Sequence, residues 1–285
     1  MVPAMPRGWF KAIVVFFLAC NRVVDGKYTG AEIRSKQEYS TAEGRCTKVE
    51  WRARPAVGNC VITLFSLFNG DLVFDSEAQH NRPAWSEIGI ETFGGSANHS
   101  TNTSQFQTQL ISEASPEVGK KQHIMEHMID ENANITNIFD HGFHTFGIEF
   151  CPSANQTATN CTTLVTYLLD RKVIRREAGG DLCHLVPPFD IYAANWVGLP
   201  QSTWACSSDE ARPFLAEAVV EYIQVYDNDA VVQKYVFDNE NDVITHWDRS
   251  DWGFGVFDGV YDPKNIDVVR GKAVLKLIKD TKVTN

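Results

Sequence analysis

Two glutamates four residues apart in a short apolar segment are the side chains best placed to do chemistry in this sequence. The segment reads Trp85-Ser86-Glu87-Ile88-Gly89-Ile90-Glu91. Its alternation of apolar and polar residues predicts a β-strand. Successive strand side chains point to opposite faces, so Glu87, Gly89 and Glu91 share one face while Ile88 and Ile90 turn into a core. No Lys or Arg lies within the segment. Two unneutralised carboxylates on one face either meet water or serve a reaction. Glycosidic bond cleavage is a reaction that two carboxyl groups can run by themselves. Four residues of strand span about 13 Å between Cα atoms, whereas a retaining glycosidase holds its carboxyl groups about 5–5.5 Å apart. The two side chains must then lean together over a concave, twisted sheet, and the strand must line a cleft.

A competing motif is His123-Ile124-Met125-Glu126-His127, which fits H-x-x-E-H. On a helix its two histidines share a face and hold zinc, the arrangement of one class of metalloprotease. His141 and His144 flank Gly142-Phe143, and a polar-core or surface role suits them better than ligation. The basic run Arg171–Arg176 is expected to be a solvated turn and a charged strand edge, which resists aggregation.

The elements that must position these residues are strands. Segments 46–53, 59–68, 85–93, 104–111, 144–150, 163–170, 218–226 and 273–280 are short and rich in β-branched and aromatic residues. Gly, Pro, Asn and Asp separate them, and no alternation of strands with helices appears. The pattern predicts an all-β chain, a β-sandwich of two antiparallel sheets, in one domain over residues 26–285.

Residues 1–25 read as a signal peptide: Arg7 and Lys11, then the apolar run Ala12–Ala19, closed by a small residue. That run is shorter than the roughly 20 residues that span a bilayer, so no stable membrane insertion is expected. Export fits the six cysteines of the remaining chain, which suggest disulfides. Six cysteines allow 15 connectivities, and pairing nearest neighbours in sequence gives Cys46–Cys60, Cys151–Cys161 and Cys183–Cys206. Sequons at Asn98, Asn102, Asn134, Asn155 and Asn160 suggest a glycosylated, secreted protein. The net charge of −10 speaks against nucleic acid as a partner. A hydrophobic fraction of 44%, spread along 285 residues, excludes a disordered chain.

Four segments together resemble glycoside hydrolase family 16, the lichenases, laminarinases and xyloglucan-modifying enzymes. Residues 85–91 resemble its E-I-D-I-E active-site strand. Tyr28-Thr29-Gly30-Ala31-Glu32-Ile33-Arg34-Ser35 resembles Y-T-S/G-G-E-x-R-S, Phe143–Phe150 resembles F-H-T-Y-G-x-E-W, and Glu221–Tyr226 resembles D-Y-V-R-V-Y. Residues 245–253, 263–266 and 271–275 resemble the segment that usually opens the family's domain. Here they come last, the order of a circular permutation such as the rumen-bacterial lichenases carry. The resemblance covers residues 26–280 and implies a concanavalin-like jelly roll, circularly permuted.

It also implies roles. Glu87 is the expected nucleophile and Glu91 the expected general acid and base. Trp85, Phe65, Trp196 and Trp204 are expected to stack on sugar rings, although Phe65 and Trp196 fit a core equally well. Asn69, Gln107 and Gln109 are expected to bond sugar hydroxyls. The expected substrate is an uncharged polysaccharide, a β-1,3 or mixed β-1,3-1,4 glucan, acted on by a secreted monomer. No cofactor is required, but a structural calcium held partly by Glu221 is expected from some family members. The sequence departs from the family at Gly89, where an aspartate is usual. That departure leaves a non-catalytic glycan-binding protein and a transglycosylase as alternatives. It also leads to the expectation that Gly89→Asp raises turnover.

Overall fold

The computed structural model describes residues 28–41, 44–69, 85–94, 105–113, 120–127, 137–153, 162–179, 182–183, 185, 187–198, 215–250 and 259–279. The N-terminal apolar run, the asparagines of the five sequons, Cys161, Trp204 and Cys206 lie outside the described residues.

The chain folds into strands β1 (Tyr28–Ser35), β2 (Thr47–Arg54), β3 (Val61–Asn69), β4 (Trp85–Phe93), β5 (Phe106–Glu113), β6 (Lys120–His127), β7 (His144–Cys151), β8 (Leu164–Leu169) and β9 (Lys172–Ala178). Then follow β10 (Asp190–Val197), β11 (Leu215–Asp227), β12 (Ala230–Val236), helix α1 (Glu240–His246), β13 (Trp247–Arg249), β14 (Gly259–Tyr261), β15 (Ile266–Val268) and β16 (Ala273–Lys279). All eight segments expected to be strands from their composition are strands.

The ladder runs β6-β5-β4-β3-β10-β1-β16-β11-β2-β7-β8-β9 and folds back on itself. The half from β6 to β1 forms a front sheet; the half from β16 to β9 forms a back sheet. Strand β1 joins them, pairing β10 through residues 31–34 and β16 through residues 28–29. The two halves pack face to face. Phe65 of β3 stacks on Phe146 of β7 at 4.8 Å, and Trp51 of β2 lies 6.0 Å from Phe65. Across the interior Arg175 Nη1 of β9 donates to the Thr108 carbonyl of β5 at 2.7 Å. This is the predicted sandwich, a jelly roll in that the chain crosses repeatedly between the sheets. The first and last described strands are paired, with Tyr28 opposite Lys279. Among the described residues no helix is long and apolar enough to cross a membrane.

Strand β6 overturns the zinc motif. In a strand His123 and His127 stand about 13 Å apart along the backbone, too far to share one ion. His127 is buried, stacked on Phe106 at 4.6 Å and hydrogen-bonded to Thr108 Oγ1 at 3.0 Å. Burial, and then the Arg175 charge, lower its pKa to about 4, so it packs as neutral imidazole. The basic run behaves as expected in part. Strand β9 ends the back sheet and exposes Lys172 and Arg176, but Arg175 is buried and also donates to Glu177.

The disulfide pairing departs from the nearest-neighbour expectation. Cys46 is bonded to Cys151. Strands β2 and β7 pair with Thr47 opposite Phe150, so the next pair outward is Cys46 and Cys151. Spatial adjacency across a ladder, rather than sequence distance, selects the bond. It spans 105 residues of chain, so it restricts the unfolded state more than the short loops expected. Cys60 and Cys183 are also disulfide-bonded.

His144 opens β7 and is clamped on both nitrogens, Nδ1 to Asp170 Oδ2 at 2.8 Å and Nε2 to Asp140 Oδ1 at 3.0 Å. The Asp170 bond, opposed by burial and aided by Asp140, raises the His144 pKa. Asp140 is lowered by the Gly142 N–H and then by His144; at Asp170 burial acts upward, but the His144 and Thr145 bonds outweigh it. The raised histidine contributes stability that is complete below its unfolded pKa of about 6.5 and is lost as pH rises through its higher folded value. The lowered aspartates contribute above about 4 and lose it on acidification. We therefore expect the unfolding free energy from urea titrations to fall from pH 6 to pH 9 by about 1 kcal/mol more in the wild type than in His144→Ala. The drop should be smaller in His144→Ala, where the buried Glu91 still lowers stability as pH rises toward 8; an equal drop in both proteins would remove the clamp from the account.

Candidate active site

Directly opposed residues in an antiparallel ladder point to the same face, so the register gives the surface around Glu87 and Glu91. One row crosses the front sheet through Glu32, Ala194, Leu64, Glu91, Gln107 and Glu126. The next runs Arg34, Tyr192, Ser66, Gly89, Gln109 and Ile124. A third holds Asp190, Phe68, Glu87 and Ile111. Ile88 and Ile90 point the other way and are fully buried between the sheets, as their alternation predicts.

The dyad is held by amides from β5. Gln107 Nε2 donates to Glu91 Oε2 at 2.5 Å. Gln109 Nε2 donates to Glu87 Oε1 at 3.1 Å and to Glu91 Oε1 at 3.3 Å. Sharing one donor nitrogen holds the two acceptor oxygens within about 6 Å of each other, a reach that includes the spacing of a retaining pair. The 13 Å of backbone between the glutamates is closed by the side chains leaning toward this shared donor. Strand β5 is itself pinned from the back sheet, because Tyr167 Oη donates to the Gln109 carbonyl at 2.6 Å.

The two carboxyls differ in environment. Glu91 is 8% exposed, and Glu87 is half-buried. Burial raises the Glu91 pKa to about 8; the Glu87 charge adds to this, and the Gln107 and Gln109 bonds oppose it. Glu91 therefore carries a proton at neutral pH, as a general acid must.

The remaining sequence expectations divide. Trp196 lies on the dyad's face opposite Ile62, two residues beyond the Glu91 row, but it is buried and packs as part of the hydrophobic core, the second of its two expected roles. Phe65 does not lie on that face. It stands opposite Ile90, is fully buried, and belongs to the core between the sheets, so it cannot stack on a sugar. Asn69 pairs with Ser86 and therefore shares the face opposite to Glu87. The Trp85 backbone opens β4, but its side chain, like all of Trp204, lies outside the described residues. Glu221 is not free for calcium: Lys272 Nζ lies 2.7 Å and Arg52 Nε 3.6 Å from its carboxylate. Two cations repel a third, and among the described residues no group of three or more His, Cys, Asp or Glu could hold a metal.

The sequence reading passed over Tyr192, Phe68, Glu32 and Arg34, which the register places on this face. Phe68 and Tyr192 pack edge to face at 5.6 Å. Glu32 is buried and accepts hydrogen bonds from Ser250 Oγ and Tyr261. The signal in the sequence is the period-2 spacing of Glu32 and Arg34 within residues 28–35, which puts them on one face of a strand. Their adjacency to the dyad depends on pairings between β1, β10 and β3 that are distant in sequence.

No family model and no curated protein matches the sequence. Among solved structures the chain is similar to the catalytic domain of an endo-1,3-β-glucanase (laminarinase) from Thermotoga petrophila. The two share 17% identity over 70% of this chain and 77% of that one, with a TM-score of 0.41. It is also similar to an endo-β-1,3-glucanase from Pyrococcus furiosus, at 17% identity over 74% and 77% with a TM-score of 0.45. A family 16 endo-glucanase from Bacteroides ovatus gives 12%, 72% and 84% with a TM-score of 0.44. At such identities and TM-scores the likeness carries no functional weight, and the reading of the site rests on the geometry of the two glutamates.

Proposed function

We propose that this protein is a secreted β-glucan-active glycosidase of the family 16 type, circularly permuted, that cleaves β-1,3 or mixed β-1,3-1,4 linkages with retention. The observation that carries this reading is a single amide nitrogen reaching both glutamates, one of them poised to be protonated. A Glu87 carboxylate oxygen attacks the anomeric carbon while Glu91 gives its proton to the departing glycosidic oxygen. The sugar is then esterified to Glu87 and Glu91 is ionised. Glu91 next takes a proton from water, the water oxygen attacks the anomeric carbon, and Glu87 leaves as carboxylate. A sheet face that carries neutral amides and the aromatic Tyr192 and Phe68 beside the dyad suits a neutral polymer. The pairing of the first and last described strands supports the permuted order, because a chain whose ends meet can be reopened elsewhere.

Purified protein incubated with laminarin, lichenan and cellulose derivatives is expected to release reducing ends from the first two, with the product's anomeric configuration retained by proton NMR. Inversion would exclude Glu87 as nucleophile. Binding to insoluble glucan without product would favour the glycan-binding reading, and longer oligosaccharides formed from added acceptors would favour transglycosylation. The kcat/KM profile is expected to hold up to about pH 8 and fall above it as Glu91 ionises. A fall centred near pH 5 would show that Glu91 is not the acid.

A further inference from the structure

Gly89 lies between the two glutamates on the face they share, so a side chain there would stand beside both carboxyls. That space is taken. A Cβ at Gly89 would meet Gln109 Nε2 at 3.1 Å, Gln109 Cγ at 3.2 Å and Leu64 Cδ1 at 3.4 Å. Gln109 is the cross-strand partner of Gly89, and its side chain lies over the bare backbone to reach Glu87 and Glu91.

We infer that Gln109 is the positioning residue of the dyad, its amide bridging Glu87 and Glu91 through the space that Gly89 leaves open. The inference rests on the proposed catalytic roles of the two glutamates and adds the device that fixes their separation. An amide NH2 has two hydrogens and no proton to give up, so it orients both carboxyls without joining their titration. Donation to an ionised oxygen favours the charged form, and at Glu91 the Gln109 bond works against the burial and the Glu87 charge that raise its pKa. Gly89 and Gln109 are then a matched pair. A Cβ at residue 89 obliges the amide to give by a few tenths of an ångström, since its contacts would be 3.1 and 3.2 Å, and a longer side chain displaces it further. Aspartate at residue 89 alone is thus expected to lower turnover, which reverses the expectation drawn from the sequence.

The test is a carboxyl titration by NMR on the full chain with 13C-labelled glutamate, paired with kinetics on laminarin or lichenan. The proteins are the wild type, Gln109→Ala, Gly89→Ala, Gly89→Asp and Gly89→Asp/Gln109→Ala. In Gln109→Ala the midpoints of Glu87 and Glu91 should both rise by about one pH unit. Its kcat should fall about 10²-fold with a smaller change in KM. Gly89→Ala, which leaves the glutamine intact, should shift both midpoints the same way. Gly89→Asp should be slower than wild type, and the double variant faster than the product of the single effects predicts. Unchanged midpoints in Gln109→Ala, or additive single effects, would overturn the inference. A wild type that cleaves no glucan would defeat the proposed activity while the titration still decided the role of Gln109.

Discussion

Glu87→Gln is expected to reduce hydrolysis of laminarin or lichenan about 10⁴-fold, a loss of about 5–6 kcal/mol of transition-state stabilisation. The amide keeps the shape of the side chain but cannot form the ester intermediate, and the residual rate must come from water attacking directly. Glu91→Gln should behave differently. It removes the proton donor, so polysaccharide cleavage falls, but a substrate with an acidic phenol as leaving group needs no proton. Formation of the Glu87 ester from such an aryl glycoside should therefore survive in Glu91→Gln and be lost in Glu87→Gln. Glu87→Gln also relieves crowding of two carboxyls around one amide and should not lower the unfolding temperature, whereas Glu91→Gln sets its own NH2 against the Gln107 or Gln109 donor and should lower it somewhat. Equal rates in wild type and Glu87→Gln would end the enzymatic reading. Equal losses for both variants on the aryl substrate would show that the roles of nucleophile and acid are not divided as assigned.

The strands and the shared face of Glu87 and Glu91 were legible because both follow from period-2 alternation, a local property. What was not legible depended on pairing between distant segments. Gln107 and Gln109 could be picked out as polar residues near a groove, but their donation to the glutamates follows from the β4–β5 register, in which Gly89 faces Gln109. The Cys46–Cys151 bond was missed for the same reason: sequence distance is a poor guide when two strands 105 residues apart are neighbours. The H-x-x-E-H spacing means chelation only on a helix, and β6 is a strand because its residues pair along the whole length of β5. Gly89 reads as a deficit in the sequence, because a missing side chain says nothing about which neighbour occupies the space.

Phe65 shows how one residue's face decides the kind of effect to expect. Placed in the groove it would be a sugar platform, and Phe65→Ala would raise KM with little effect on folding. Its register places it instead behind the dyad, opposite Ile90 and between Trp51 and Phe146. Truncation there leaves a cavity that two sheets, cross-linked by the Arg175 and Tyr167 bonds, can close only partly. Phe65→Ala is therefore expected to cost about 3–5 kcal/mol, and Phe65→Leu clearly less because much of the volume remains. Urea unfolding should show the midpoint falling in that order. Activity per folded molecule should respond through kcat, since β3 and β4 settle together and shift Glu91 against Gln107, while KM stays close to the wild-type value. A raised KM with an unchanged unfolding midpoint would return Phe65 to the groove and require a register between β3 and β4 shifted by one residue, which would put Phe65 on the same face as the two glutamates.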